Sequence, residues 1–359
     1  MVDPRVSRQD WFPCIGVLYV SVQFRLWLTI LAIAGPGCGA QAQPNGFQVS
    51  YTAGMQDEAG HFAGGTEVRL LTAHGGRLYA GNGYWEDKPG PEGQQGAQIL
   101  VLSEPQGRWR VDHVFKEQLP SGRWRDLAVG ALAEAVFGTD GLGRILTRPV
   151  ALLIASTWDL TGATKVFTRD DATGTWTAVT LAEDHPAPDF LPQIRSFGTH
   201  RDRVTGIDLV FAGQTPRGIF AGHFDLAAPG KIRWSNIPEL DAAGASITFS
   251  GLAGRLRVSS FAEANGLLYA AVGQQIYERI DGAAPRWRLV FTNSQPGRSE
   301  TGLRGLTTIP ATGGGQALLV PLHRGFDRLR WATPILHQSP WTRRCRDKRE
   351  PAWLGPFGW

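Results

Sequence analysis

One pattern of apolar and polar positions recurs along residues 65–320. Apolar runs end in small residues: Leu78-Tyr79-Ala80-Gly81, Leu152-Leu153-Ile154-Ala155, Leu209-Val210-Phe211-Ala212-Gly213 and Leu268-Tyr269-Ala270-Ala271. A short run precedes each, at 68–73, 132–137, 194–199 and 258–262, and another opens at 303–309. An alternating run follows each, at 98–102, 165–168, 219–224 and 275–280. A polar turn and a Trp-bearing run then close the unit. The tryptophans are Trp109, Trp176, Trp234 and Trp287, spaced 67, 58 and 53 residues apart. Runs this short, divided by Gly, Pro and Asp, predict β-strands rather than helices.

Four strands per unit, repeated in tandem, predict an all-β protein. The expected fold is a β-propeller of four-stranded antiparallel blades, with four recognisable blades and part of a fifth. A single twisted sheet cannot cover both of its faces, and radial stacking buries each blade against the next. The recurring Trp is expected as a large apolar plate at the blade-to-blade contact.

Two stretches resemble known families. Leu268-Tyr269-Ala270-Ala271-Val272-Gly273-Gln274-Gln275-Ile276-Tyr277-Glu278-Arg279, followed by Asp281 and Trp287, resembles a kelch-type repeat. The turn Asp170-Asp171-Ala172-Thr173-Gly174-Thr175-Trp176 is similar to the Asp-box of sialidase-like propellers. Only Gly273 stands where kelch has two adjacent glycines, and the Asp170–Gly174–Trp176 spacing departs from a strict Asp-box. The resemblance implies a propeller over about residues 65–320 and singles out no specific family.

The ends read differently. Arg25 precedes the apolar run Leu26-Trp27-Leu28-Thr29-Ile30-Leu31-Ala32-Ile33-Ala34, and Ala40-Gln41-Ala42 forms a small-residue cleavage site. This predicts a signal peptide over 1–42 with a long extension ahead of it, cleaved after Ala42, and a secreted or periplasmic protein. The competing reading is a membrane anchor over residues 15–34, which would place Gln23 and Arg25 near its middle at a cost. Residues 43–64 are expected as a linker. Residues 321–359 hold five Pro, four Trp and seven Arg without strand alternation, which points to an irregular tail, out of frame or truncated from a longer parent.

Composition narrows the classes. The 359 residues are 42% hydrophobic and 19% charged, enough for a sizeable core. The 45 glycines have no three-residue period, which excludes collagen, and three cysteines exclude a disulfide framework. The net charge of +4 is unevenly spread: +1 in 1–42, +5 in 321–359 and −2 in 43–320. The body therefore lacks the basic footprint that nucleic acid requires. The expected partner is a small-molecule or glycan ligand, or another protein, with membrane contact only through an uncleaved N-terminus. No cofactor is expected.

Candidate chemistry follows from aligning the first strands on Leu71, Leu132, Phe197, Phe261 and Leu306. Two residues earlier stand Arg69, Arg195 and Arg304; two residues later stand Glu134 and Glu263. Spacing by two keeps them on one side of the strand. Converging arginines suit an anion, and the sialidase resemblance implies an arginine triad on a carboxylate. The plainer alternative is that Arg and Glu pair with each other in a wet channel. Trp85-Glu86-Asp87 and Trp158-Asp159 place a ring beside carboxylates, a pattern that suits sugars. Eight histidines are scattered without metal-ligand spacing, and 200–203 reads as a polar turn. The expectation is a binding scaffold for a carbohydrate or small anion. The alternatives are a sialidase-like glycoside hydrolase using the arginines with Glu134 or Glu263, and a truncated product without function.

Overall fold

A computed structural model describes residues 49–84, 96–184, 192–245, 256–293, 303 and 305–324, and the backbone of 328–331. A small hairpin comes first, β1 (Met55–Gln56) with β2 (Phe62–Ala63). The first blade is β3 (Glu67–His74), β4 (Arg77–Gly83), β5 (Gln98–Leu102) and β6 (Arg110–Val114). The second is β7 (Asp126–Thr139), β8 (Ile145–Asp159), β9 (Ala163–Arg169) and β10 (Trp176–Glu183). The third is β11 (Gln193–Arg201), β12 (Asp208–Thr215), β13 (Gly218–Phe224) and β14 (Ile232–Trp234). The fourth is β15 (Val258–Ala264), β16 (Leu267–Val272), β17 (Gln275–Ile280) and β18 (Arg286–Thr292). A half-blade follows, β19 (Thr307–Pro310) with β20 (Gln316–Leu319). All strand pairs are antiparallel and sequential within a blade, as the hydrophobic pattern predicts. One further bridge, Gly83 to Ala128, joins the first two blades.

The second strand of each blade carries a central apolar run because both of its faces are buried there. In β8, Leu152 and Ile154 pack toward the third blade while Leu153 and Ala155 pack toward the first. In β12, Val210 and Ala212 face the second blade and Phe211 faces the fourth. In β16, Leu268 and Ala270 face the third blade and Tyr269 and Ala271 face the half-blade. Period-two alternation thus sorts neighbours between two cores. The small residues ending these strands mark where blades converge: a Cβ on Gly213 would lie 2.6 Å from Val258 Cβ. Trp176, Trp234 and Trp287 pack at the seams, as the repeat implies.

Two segments differ from expectation. Residues 49–64, read as linker, carry β1–β2, and Tyr51, Met55 and Ala63 pack on Leu100, Leu102 and Trp109 of the first blade. Trp109 Nε1 donates to Ser50 Oγ at 3.2 Å, and Val111 N donates to Asp57 at 3.1 Å. Apolar residues spaced too irregularly to show a strand thus cover the open face of the first blade. In the segment read as an irregular tail, β21 (Pro321–Arg324) pairs with β22 (Arg328–Trp331). The segment 1–42, and with it the signal-peptide and anchor readings, lies outside the described residues.

Candidate functional site

Each first strand carries a bulge at the same height. Pairing skips Arg69 in β3, Gly130 in β7, Arg195 in β11 and Ser259 in β15. A bulged residue is released from the ladder and its side chain is re-aimed. In the first and third blades that residue is an arginine; in the second it is a glycine, and Trp158 of β8 occupies the vacated space. A Cβ on Gly130 would sit 2.8 Å from the indole Nε1.

The two arginines close over that indole. Arg69 Cζ lies 4.2 Å from the Trp158 ring centroid, and Arg195 Cζ lies 5.9 Å from it. Guanidinium groups stack on the electron-rich indole face, more strongly where water is thinned. Glu67 Oε1 holds Arg69 Nε at 3.0 Å. Burial pulls Arg69 below the ordinary guanidinium range, and Glu67 opposes this only in part. Two cations from different blades therefore share one aromatic platform, and one acidic side chain, Glu67, is paired with Arg69.

Asp159 lies behind the platform, on the other side of the strand from Trp158. Its oxygens accept from Thr161 N at 2.8 Å, Thr161 Oγ1 at 2.7 Å and Arg125 Nε at 2.8 Å, with Lys165 Nζ at 3.4 Å. It ties the β8–β9 turn to Arg125.

Asp126, paired across the sheet with Asp159, is buried and accepts from Thr157 Oγ1. Burial pushes its carboxyl up to about 6 from the usual 3.8, with Asp159 adding and Lys165 and Arg125 subtracting. The folded state thus holds a proton there that the unfolded chain has released. The contribution of this group is fully present below about pH 4 and is lost as pH rises through 6, by about 2–3 kcal/mol in all. Asp126→Asn is expected to flatten that slope and to match or exceed the wild type near neutral pH. Urea denaturation across this window checks it, and equal slopes in both proteins would refute it.

The glutamates lie elsewhere. Glu134 and Glu263 stand four residues beyond the bulges Gly130 and Ser259 in their strands. At the rise of a β-strand this is roughly 13 Å from the arginine level. Each meets a histidine of the preceding blade: His74 Nδ1–Glu134 Oε2 at 2.7 Å and His200 Nδ1–Glu263 Oε2 at 2.9 Å. Among the described residues, Arg69 and Arg195 are therefore not brought together with Glu134 and Glu263, either as a catalytic pair or as a channel ion pair. They share a strand side but not a height. The histidines, read as scattered, are the partners that the sequence did not reveal. The signal was present, since Arg69 and His74 repeat the five-residue spacing of Arg195 and His200, and Ala flanks both Glu134 and Glu263. Trp85, Glu86, Asp87 and Arg304 lie outside the described residues.

The protein is an all-β propeller of four-stranded blades. No protein-family model and no curated protein matches the chain. Among solved structures, it is similar to the extracellular domain of a putative one-component system from B. thetaiotaomicron. That likeness has a TM-score of 0.39 and 10% identity, over 74% of this chain and 27% of that one. It is also similar to the Cps50 (Swd1) β-propeller domain of Myceliophteria thermophila, with a TM-score of 0.32 and 13% identity, over 68% of this chain and 66% of that one.

Proposed function

We propose that this protein is an exported propeller scaffold that binds a small anionic ligand, such as a carboxylate-bearing sugar, where Arg69 and Arg195 meet Trp158. The observation that carries this reading is the convergence of two guanidinium groups from the first and third blades on one indole. The guanidiniums supply paired donors for an anion, and the ring supplies a flat apolar face for a pyranose. Nothing in this arrangement requires turnover. The site is built at the end of the blades where loops emerge, the usual place for recognition on a rigid scaffold.

The test is calorimetric titration with glucuronate and with glucose. Glucuronate is expected to bind, and Arg69→Ala or Arg195→Ala to weaken it by roughly ten- to a hundredfold, as expected for a lost charge-assisted hydrogen bond. Glucose, which lacks the carboxylate, is expected to bind far more weakly. Equal binding of the two sugars, or arginine variants that bind like the wild type, would reject the anion site. N-terminal sequencing of exported protein, expected to begin at Gln43, checks the export reading.

A further inference from the structure

The end of the blades opposite Arg69 and Arg195 carries an apolar patch. Among the described residues, six large aliphatic side chains are at least 70% exposed, and four of them lie here: Leu142 at 77%, Ile145 at 83%, Val204 at 71% and Leu226 at 74%. They sit on or beside three turns, β7–β8, β11–β12 and β13–β14. The other hairpins between first and second strands turn on Gly75-Gly76, Asn265-Gly266 and Gly313-Gly314-Gly315. Such small and polar residues are what a turn ordinarily uses. One exposed aliphatic residue needs no explanation, but four at one place do.

The three turns adjoin one another. β7 runs four residues past Ala135, the place that His74 and His200 hold in their own strands, and the added hairpin leans on the third blade. Gly138 N donates to Asp208 Oδ2 at 2.6 Å, and Asp208 N donates to Thr139 Oγ1 at 2.8 Å. A Cβ on Gly143 would lie 3.0 Å from Thr205 O, and one on Gly141 would lie 2.2 Å from the His223 ring. The β7–β8 tip therefore rests against the neighbour of Val204 on one side and the strand leading to Leu226 on the other. Each turn is pinned by an aspartate. Asp140 accepts from Leu142 N at 2.9 Å, Asp202 from Val204 N at 3.0 Å and Asp225 from Ala227 N at 2.9 Å. The aliphatic side chains are thus held outward by built turns.

The rim of the patch is cationic where it meets water. In four ion pairs the arginine lies outside and its carboxylate beneath. Arg144 is 75% exposed against 19% for Asp140, and Arg201 58% against 15% for Asp208. Arg203 is 53% exposed against 2% for Asp281, and Arg233 60% against 25% for Asp225. Lys231 and Asp170 are exposed about equally, and Arg148 is exposed on β8. The exposed carboxylates of the flanking seams, Asp171 and Glu263, are engaged by His74 and His200. An approaching surface therefore meets aliphatic tips ringed by guanidinium groups. An anionic bilayer fits both features. The tips enter the boundary between headgroups and acyl chains, and the arginines meet phosphates while their stems cover apolar surface. A protein hot spot would call for Trp or Tyr, and neither stands among these tips.

We propose that this end of the propeller docks on an anionic lipid surface through Leu142, Ile145, Val204 and Leu226, with Arg144 and Arg148 on the headgroups. The platform of Arg69, Trp158 and Arg195 then faces away from the bilayer. The docking does not depend on what that platform binds.

Hydrogen exchange of the full-length protein, with and without lipid vesicles, tests this. With vesicles of phosphatidylcholine and phosphatidylglycerol, exchange over residues 140–146, 203–206 and 226–228 is expected to slow. With phosphatidylcholine alone the slowing is expected to be far smaller. Leu142→Ser combined with Ile145→Ser is expected to raise the lipid concentration for half-protection on the order of tenfold. Arg144→Gln combined with Arg148→Gln is expected to raise it on the order of tenfold as well. Equal slowing on neutral vesicles would overturn the proposal, as would full protection in the Leu142→Ser, Ile145→Ser protein. Vesicles that leave the three turns unprotected would also overturn it and leave the patch to a protein partner. Because protection is read at the turns themselves, attachment through the N-terminal segment alone counts as that last outcome.

Discussion

Arg279→Ala is expected to destabilise the protein by about 3–5 kcal/mol, the range for stripping one partner from a buried ion pair. Arg279 is among the largest fully buried side chains of the molecule. Its guanidinium binds Glu239 in a two-point fork at 2.8 and 3.0 Å, and Nη1 binds both Asp202 and Asp281 at 2.8 Å. The side chains of Asp202 and Asp281 are 1% and 2% exposed; Asp281 keeps Arg203, but alanine would leave Asp202 charged without water or cation. Against the pull of burial, the Thr205 backbone N–H and then Arg279 hold Asp202 well below the usual carboxylate range, and Arg203 and His200 do the same for Asp281. A depressed carboxylate stabilises the fold above its unfolded value and loses that contribution as pH falls through its folded value. The cost of Arg279→Ala is therefore greatest near neutral pH and shrinks in acid, where the orphaned carboxylate protonates. Arg169→Ala is expected to cost less, because of its two partners only Asp112 is buried, while Asp171 is half exposed and can turn to water. Urea denaturation of the two variants gives the ranking. A variant at Arg279 that unfolds like the wild type would show that the network contributes nothing net.

The contrast between these arginines shows why some features were legible in the sequence and others were not. Strands such as β8, β12 and β16 announce themselves, because burial on both faces demands an unbroken apolar run. The bulged positions were legible too, since aligning the first strands put Arg69 and Arg195 in one column, and the structure brings both to Trp158. Spacing by two fixes a side of the strand, and the alignment itself set Glu134 four residues beyond the arginine column, but it could not show what Glu134 meets there. The partner of Glu134 is 60 residues away in another blade. Such pairing depends on how high neighbouring sheets sit against each other, which local periodicity does not encode. Only a comparison of alternate units, first with third and second with fourth, reveals the histidines as a set.

Gly83→Val is expected to cost more than about 3 kcal/mol, beyond the usual range for overpacking, because the added atoms meet backbone rather than movable side chains. Gly83 ends β4 and bridges to Ala128, joining the first two blades. A Cβ there would lie 2.2 Å from Ala128 Cα and 2.8 Å from Leu127 O. Neither side can retreat cheaply. Leu127 O accepts the Tyr84 N–H at 3.0 Å, and Gly83 O accepts the Thr66 N–H at 2.8 Å, so moving either strand breaks a backbone bond. The clash also reaches the arginine end, since Leu127 and Ala128 pack directly on Trp158. Displacing them shifts the indole under Arg69 and Arg195. Gly83→Ala, smaller but still overlapping, is expected to lower stability less while weakening anion binding in the same direction. Gly122 is the comparison: it sits at φ +80° with nothing within 4 Å of a Cβ, so alanine there bears only backbone strain of about 1 kcal/mol and leaves binding unchanged. Denaturation and ligand titration on the three variants separate steric from conformational cost. If Gly83→Ala tracked Gly122→Ala in both measurements, the first two blades would not meet as closely as this contact requires, and the platform beneath the arginines would rest on something else.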